Sequence, residues 1–121
     1  MIDYEGRVFR RAGGADAARA RYHQSGRHVW AHVEGGPVVV GTLAGQCDDD
    51  GKLSLAYALA LGTGVVVAGR TTNVPEVRAD GSVVLREEWQ RSSPDVSCGV
   101  SYLEEVRGAA AEPTEAREGA R

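Results

Sequence analysis

Lys52-Leu53-Ser54-Leu55-Ala56-Tyr57-Ala58-Leu59-Ala60-Leu61 is the stretch whose reading decides the fold. Large apolar residues stand at every second position, and small residues fill the gaps. Side chains on a β-strand alternate between its faces, so Leu53, Leu55, Tyr57, Leu59 and Leu61 share one side. An amphipathic helix would instead repeat its apolar residues every three or four positions. The stretch therefore reads as a strand with one buried face. It follows Asp49-Asp50-Gly51, a turn sequence of the kind that joins hairpins.

Working outward, turn signals recur roughly every ten residues, the spacing of hairpin-linked strands. They are Gly13-Gly14, Ser25-Gly26, Gly35-Gly36-Pro37, Gly62-Thr63-Gly64, Ala79-Asp80-Gly81 and Ser92-Ser93-Pro94. The segments between them predict strands near Tyr4–Arg11, Ala18–Gln24, Arg27–Glu34, Val38–Asp48, Lys52–Leu61, Val65–Asn73, Ser82–Arg91 and Val96–Val106. About eight such strands joined by hairpins form an all-β, up-and-down antiparallel barrel, which by closing removes both exposed edges. The Ala-rich run Ala12–Arg21 leaves a short helix after Asp16 open as an alternative. Residues 1–107 read as the barrel domain. Residues 108–121 lack any large apolar side chain to offset their ordering entropy, and are expected to form a disordered tail.

Bulk composition narrows the partners. A chain of 121 residues supports one core. Net charge is −3 and Lys52 is the sole lysine, so there is no basic footprint for nucleic acid or an anionic membrane. No apolar stretch is long enough to act as a signal core or to span a bilayer, which predicts a cytoplasmic location. Cys47 and Cys98 are then expected to be reduced thiols.

The segment Ser82–Arg91 carries the most chemical information. Val83, Leu85, Glu87 and Trp89 share a face, and a lone carboxylate between Leu85 and Trp89 is costly unless it has a partner or a task. Glu87 is therefore a candidate general acid or base, or else a carboxylate hydrogen-bonded within the barrel. Tyr22 and Tyr57 are predicted to point inward, either to stabilise developing negative charge or simply to pack. Trp89 is expected to line the same cavity. Gln24, Leu59, Thr71, Asn73, Ser97 and Ser101 complete the predicted ligand-contacting wall, where a few polar groups in an apolar pocket fix orientation.

Other chemistries lack support. His28 and His32 share a strand face with His23 nearby, but no third ligand is fixed, so no metal site is assigned. Asp48-Asp49-Asp50-Gly51 has neither the ligand alternation nor the distal Glu of a calcium loop. No Gly-x-Ser-x-Gly occurs, and Cys98 is predicted to face outward. Trp30 and the histidines around it offer a possible homodimer face.

A wider pattern is also present. Tyr4-x-Gly6-Arg7-x-Phe9, Tyr22-x-Gln24, Trp30-Ala31, Gly35-Gly36, Val38-x-x-Gly41-x-Leu43, Asp50-Gly51-Lys52-Leu53, Tyr57, Gly69, Pro75-Glu76-Val77, Asp80-Gly81, Glu87-x-Trp89 and Ser97-x-Gly99-x-Ser101 occur in order. Together they resemble a family of small bacterial proteins commonly labelled N-acetylglutamate synthase, over most of the chain up to Val106. The resemblance implies a lipocalin- or avidin-like barrel. Acetyl transfer from an acyl-CoA would need a strand–loop–helix unit to hold pyrophosphate, and this chain has none; Gly62-Thr63-Gly64 runs straight into Val65-Val66-Val67. Where the family is polar or aromatic, this chain carries Ala20, Val33, Thr42, Ala58, Leu59 and Arg91. Several of these fall on the inferred inner face, which implies a wider and more apolar pocket. An inner cavity lined by charges would overturn that expectation.

The resulting expectation is a cofactor-free barrel that isomerises or cyclises an apolar, polyketide-like metabolite. Pocket shape would pre-fold the substrate. Glu87 would move a proton, Tyr22 or Tyr57 would steady negative charge, and Trp89 would shape the wall. The alternative is a lipocalin-like carrier of a small apolar ligand.

Overall fold

The computed structural model describes residues 2–107. Eight strands follow one another: β1 (Val8–Arg11), β2 (Arg19–Ser25), β3 (His28–Gly35), β4 (Val38–Cys47), β5 (Leu53–Leu61), β6 (Val66–Val77), β7 (Val83–Ser93) and β8 (Ser97–Val106). Each pairs antiparallel with its neighbours in sequence, and β8 returns to β1, so the sheet closes into a barrel. The predicted up-and-down topology is the one observed. The predicted disordered tail concerns residues 108–121, which lie outside the described residues.

Tight turns make the connections. Asp48 accepts the backbone N–H groups of Asp50 and Lys52 through Oδ1, and Gly51 takes a φ of 84° that side chains disfavour. Asp80 and Gly81 repeat the device between β6 and β7. The Ala-rich segment after β1 forms successive turns, with Gly14 N–H bonded to Arg11 O and Ala17 N–H to Gly14 O, and no helix.

Two boundaries depart from expectation, each for a local reason. Residues 4–7 are not strand. Gly6 has a φ of 80°, Arg7 N–H bonds back to Tyr4 O, and the chain folds under the barrel. At the other departure, β6 runs through Pro75 to Val77. Its pairing with β5 ends at Asn73, so Pro75 lies where the strand keeps a partner on one side only.

The turned-under N-terminal segment stoppers one end. Tyr4 is fully buried, its hydroxyl donating to Gly51 O and its N–H to Gln24 Oε1. Its ring meets Phe9 and Tyr22, which themselves pack edge to face with centroids 5.2 Å apart. Val29, Cys47, Leu53, Val83 and Leu85 pack with them, and the same cluster continues through Ala20, Ala31, Leu55, Val33 and Val38. Aromatic pairs of this kind add about 0.5–1.5 kcal/mol each beyond their buried area. The β1–β8 seam beside it is short and is reinforced by charge. Arg7 donates to Glu105 Oε1 at 2.8 Å, the same oxygen accepts Val83 N–H, and Arg10 pairs with Glu104.

Candidate functional site

Strand register stacks the inner face of β5 to β8 in three rows. Leu53, Asn73, Glu87 and Ser101 form the deep row. Leu55, Thr71, Trp89 and Gly99 form the middle row, and Tyr57, Gly69, Arg91 and Ser97 the row at the mouth. Burial falls along the same direction. Leu53 and Asn73 are wholly buried, whereas Tyr57, Trp89 and Arg91 are half-buried although they face inward, and Ser97 is exposed. The end opposite the stopper is therefore open along β7 and β8, while Val33, Val38 and Val67 stay buried on its β3–β6 side.

Glycines shape this wall. A Cβ on Gly99 would lie 2.5 Å from Trp89 Cζ2, so the missing side chain is what lets the indole lie flat across β8. A Cβ on Gly69 would meet Gln90 O at 2.1 Å and the Tyr57 hydroxyl at 2.8 Å. The tyrosine ring thus reaches across Gly69 toward Arg91.

The electrostatics are uneven. Burial raises the Glu87 carboxyl above the usual carboxylate range, and Arg11 works weakly against that rise. Burial also raises the Tyr57 phenol; the facing Arg91 guanidinium opposes this and Glu87 adds to it. Deep in the wall Asn73 Nδ2 donates to Thr71 Oγ1 at 2.9 Å, leaving Asn73 Oδ1 with no partner. Arg91 Nε is likewise buried and unpaired.

The predicted residues sort into two groups. Glu87, Trp89, Tyr57, Thr71, Asn73, Ser97 and Ser101 fall within the three rows. Leu59 flanks them above Gly41, where a Cβ would lie 2.5 Å from Leu59 Cδ2. Tyr22 and Gln24 lie elsewhere. Tyr22 is 1% exposed within the stopper cluster, its phenol raised by burial and then by Glu87. Gln24 spends its amide on Tyr4 N–H and Gly26 O, anchoring the stopper. Arg91 was missed as a site residue. Alternation along β7 carries from Glu87 and Trp89 straight to it, two residues beyond the face that Val83, Leu85, Glu87 and Trp89 define.

The expectation of an apolar interior needs correcting. Ala20, Val33 and Leu59 do lie on the inner face, but Thr42 and Ala58 pair with each other on the outer one. Glu87 and Arg91 place charge-bearing groups inside. The wall is mixed, with leucines beside an acid and a base.

Outside the barrel, a groove of about 530 Å³ crosses β5, β6 and β7 and is rimmed by Ser54, Arg70, Thr72, Glu88 and Gln90. Its lining is largely polar and open to solvent. His23 stacks on Trp30 and pairs with Glu5. Among the described residues no three His, Cys, Asp or Glu side chains gather as a metal site. Cys47 is buried and Cys98 exposed, both unbridged.

No curated protein matches the chain. A profile of the family described as "Avidin-like protein" matches residues 2–106, the whole barrel from stopper to last strand. With a closed eight-strand barrel, one plugged end and an open inner wall, the chain belongs to the avidin-like protein family.

Proposed function

We propose that this barrel binds a small organic molecule through its open end. The observation that carries the reading is the inner wall of β7. Its inward side chains run Glu87, Trp89, Arg91 toward the mouth, each only partly covered by protein. A flat apolar body fits against Trp89 and the leucines at positions 43, 59 and 61. Polar groups on the ligand are then met by Tyr57, Arg91 and Glu87. A few convergent polar groups on a mainly apolar wall is the usual chemistry of such pockets.

Glu87 favours a second, catalytic reading. A carboxyl whose ionisation is disfavoured by burial is suited to holding and passing a proton. On this reading the protein performs a cofactor-free isomerisation or cyclisation of a largely apolar metabolite. Glu87 transfers the proton, and Tyr57 steadies developing negative charge. Tyr22 takes no part, because it sits in the stopper.

Metabolite comparison separates the two. The gene is deleted in its native host and restored as wild type or as Glu87→Gln. Accumulation of an isomeric or uncyclised precursor that only wild type clears establishes turnover through Glu87. Restoration by both versions assigns Glu87 a structural or binding role and leaves the carrier. No change on deletion removes the catalytic reading.

A further inference from the structure

Two buried polar atoms of the described residues have no hydrogen-bond partner, and they differ in access. Asn73 Oδ1 belongs to a wholly buried residue. Arg91 Nε belongs to a half-buried side chain in the row at the mouth, where an entering molecule arrives first. An unpaired buried N–H is costly, more so on a charged group. None of the ion pairs among the described residues includes Arg91. Glu87 does not serve it. The two are four residues apart on one strand, roughly 13 Å at the rise of an extended chain, and the cation that bears on Glu87 is Arg11. Tyr57 faces the guanidinium with a hydroxyl, which leaves the positive charge uncompensated.

Resting on the pocket reading above, we propose that Arg91 is the anchor for an anionic oxygen of the ligand, so that the barrel takes small organic carboxylates with a flat apolar body. Three features favour this class. The guanidinium is always charged and its planar fork matches a carboxylate. Its orphan Nε–H lies inside the wall rather than in water, where such a bond counts most. Trp89 is next in line on the same face and is laid flat by Gly99, offering a surface for a planar body two residues below the anchor. The carboxylate therefore sits against Arg91, the flat body lies along Trp89, and the far end of the ligand is directed toward Glu87.

The test uses a matched pair of probes on the full chain, 2-naphthoate and the uncharged 2-naphthamide, with binding measured by calorimetry. In the wild type the acid is expected to bind at least tenfold more tightly than the amide. Arg91→Met should erase that preference while changing amide affinity less than threefold. Arg91→Lys keeps the charge without the fork and should fall between. Equal binding of acid and amide to the wild type overturns the proposal while leaving the pocket intact. So does a parallel loss of both in Arg91→Met, which would mark the side chain as packing. If neither probe binds any folded version, the anchor fails together with the pocket reading.

Discussion

The two ends of the barrel are built from the same alternating strands and are finished in opposite ways. At one end the chain folds under itself, and Tyr4, Phe9 and Tyr22 fill the lumen with rings whose exposure is 1% or less. At the other, Tyr57, Trp89 and Arg91 face inward but stay partly uncovered. Polar groups follow the same division, Asn73 Oδ1 in the deep row excepted. Gln24 and Glu105 at the stoppered end are committed to backbone and guanidinium partners, while Arg91 at the open end keeps an unpaired Nε. The fully buried aromatic packing thus lies at the closed end, and the half-covered Tyr57, Trp89 and Arg91 lie toward the other.

Truncating one ring at each end tests this contrast most severely. Phe9→Ala should cost about 3–5 kcal/mol in denaturant unfolding, the range for emptying a packed aromatic site. Trp89→Ala, removing a half-covered ring, should cost about 1–2 kcal/mol. Equal losses would mean that the mouth is packed as tightly as the stopper.

Gly99→Ala gives a smaller effect and a sharper one. The new methyl would sit 2.5 Å from Trp89 Cζ2, so the ring must move. A loss of about 1–3 kcal/mol is expected from overpacking. Trp89 emission, read in a Trp30→Phe background, should shift with it. An unchanged spectrum would show that the indole does not rest on β8.

The mildest perturbation is Glu87→Gln. Burial raises this carboxyl above its ordinary 4.5, so ionising it is harder in the folded chain than in the unfolded one. Its contribution to stability is complete below the unfolded value and is lost as pH rises through the folded one. The amide does not titrate. Its stability relative to wild type should therefore improve from pH 4.5 upward and level off once the folded carboxyl is ionised. A difference that stays flat would place Glu87 in water rather than in the inner wall.

Much of this contrast was legible in the sequence. Alternation in Leu53–Leu61 and in Val83–Trp89 assigned the inner face, and the turn dipeptides assigned the closure. Alternation says which side a residue faces, but not how deep it lies. Tyr22 and Tyr57 look equivalent by parity, and only the folded stopper separates a core phenol from one at the mouth. Residues 4–7 carry the charged-apolar alternation of a strand, yet Gly6 turns them under the barrel. Gln24 was then claimed by Tyr4, a contact across twenty residues that no local pattern announces. Arg91 needed only two more steps along its own strand.

The overrun of β6 past β5 has a consequence for how copies of this chain meet. A closed barrel offers no lateral edge to a foreign strand, but residues 74–77 extend beyond the last rung shared with β5. Val74 and Val77 there are exposed, the combination that recruits a second strand into intermolecular sheet. Pro75 interrupts that stretch with a residue that has no N–H to give. A Cβ on Gly51 would meet Ile2 Cδ1 at 3.1 Å and Pro75 Cγ at 3.2 Å, so the turn before β5 lies against the proline. Pro75 thus withholds a donor from this length of edge and blunts it against a foreign strand, whereas residues 97–101 of β8, beyond the last rung shared with β1, carry no proline.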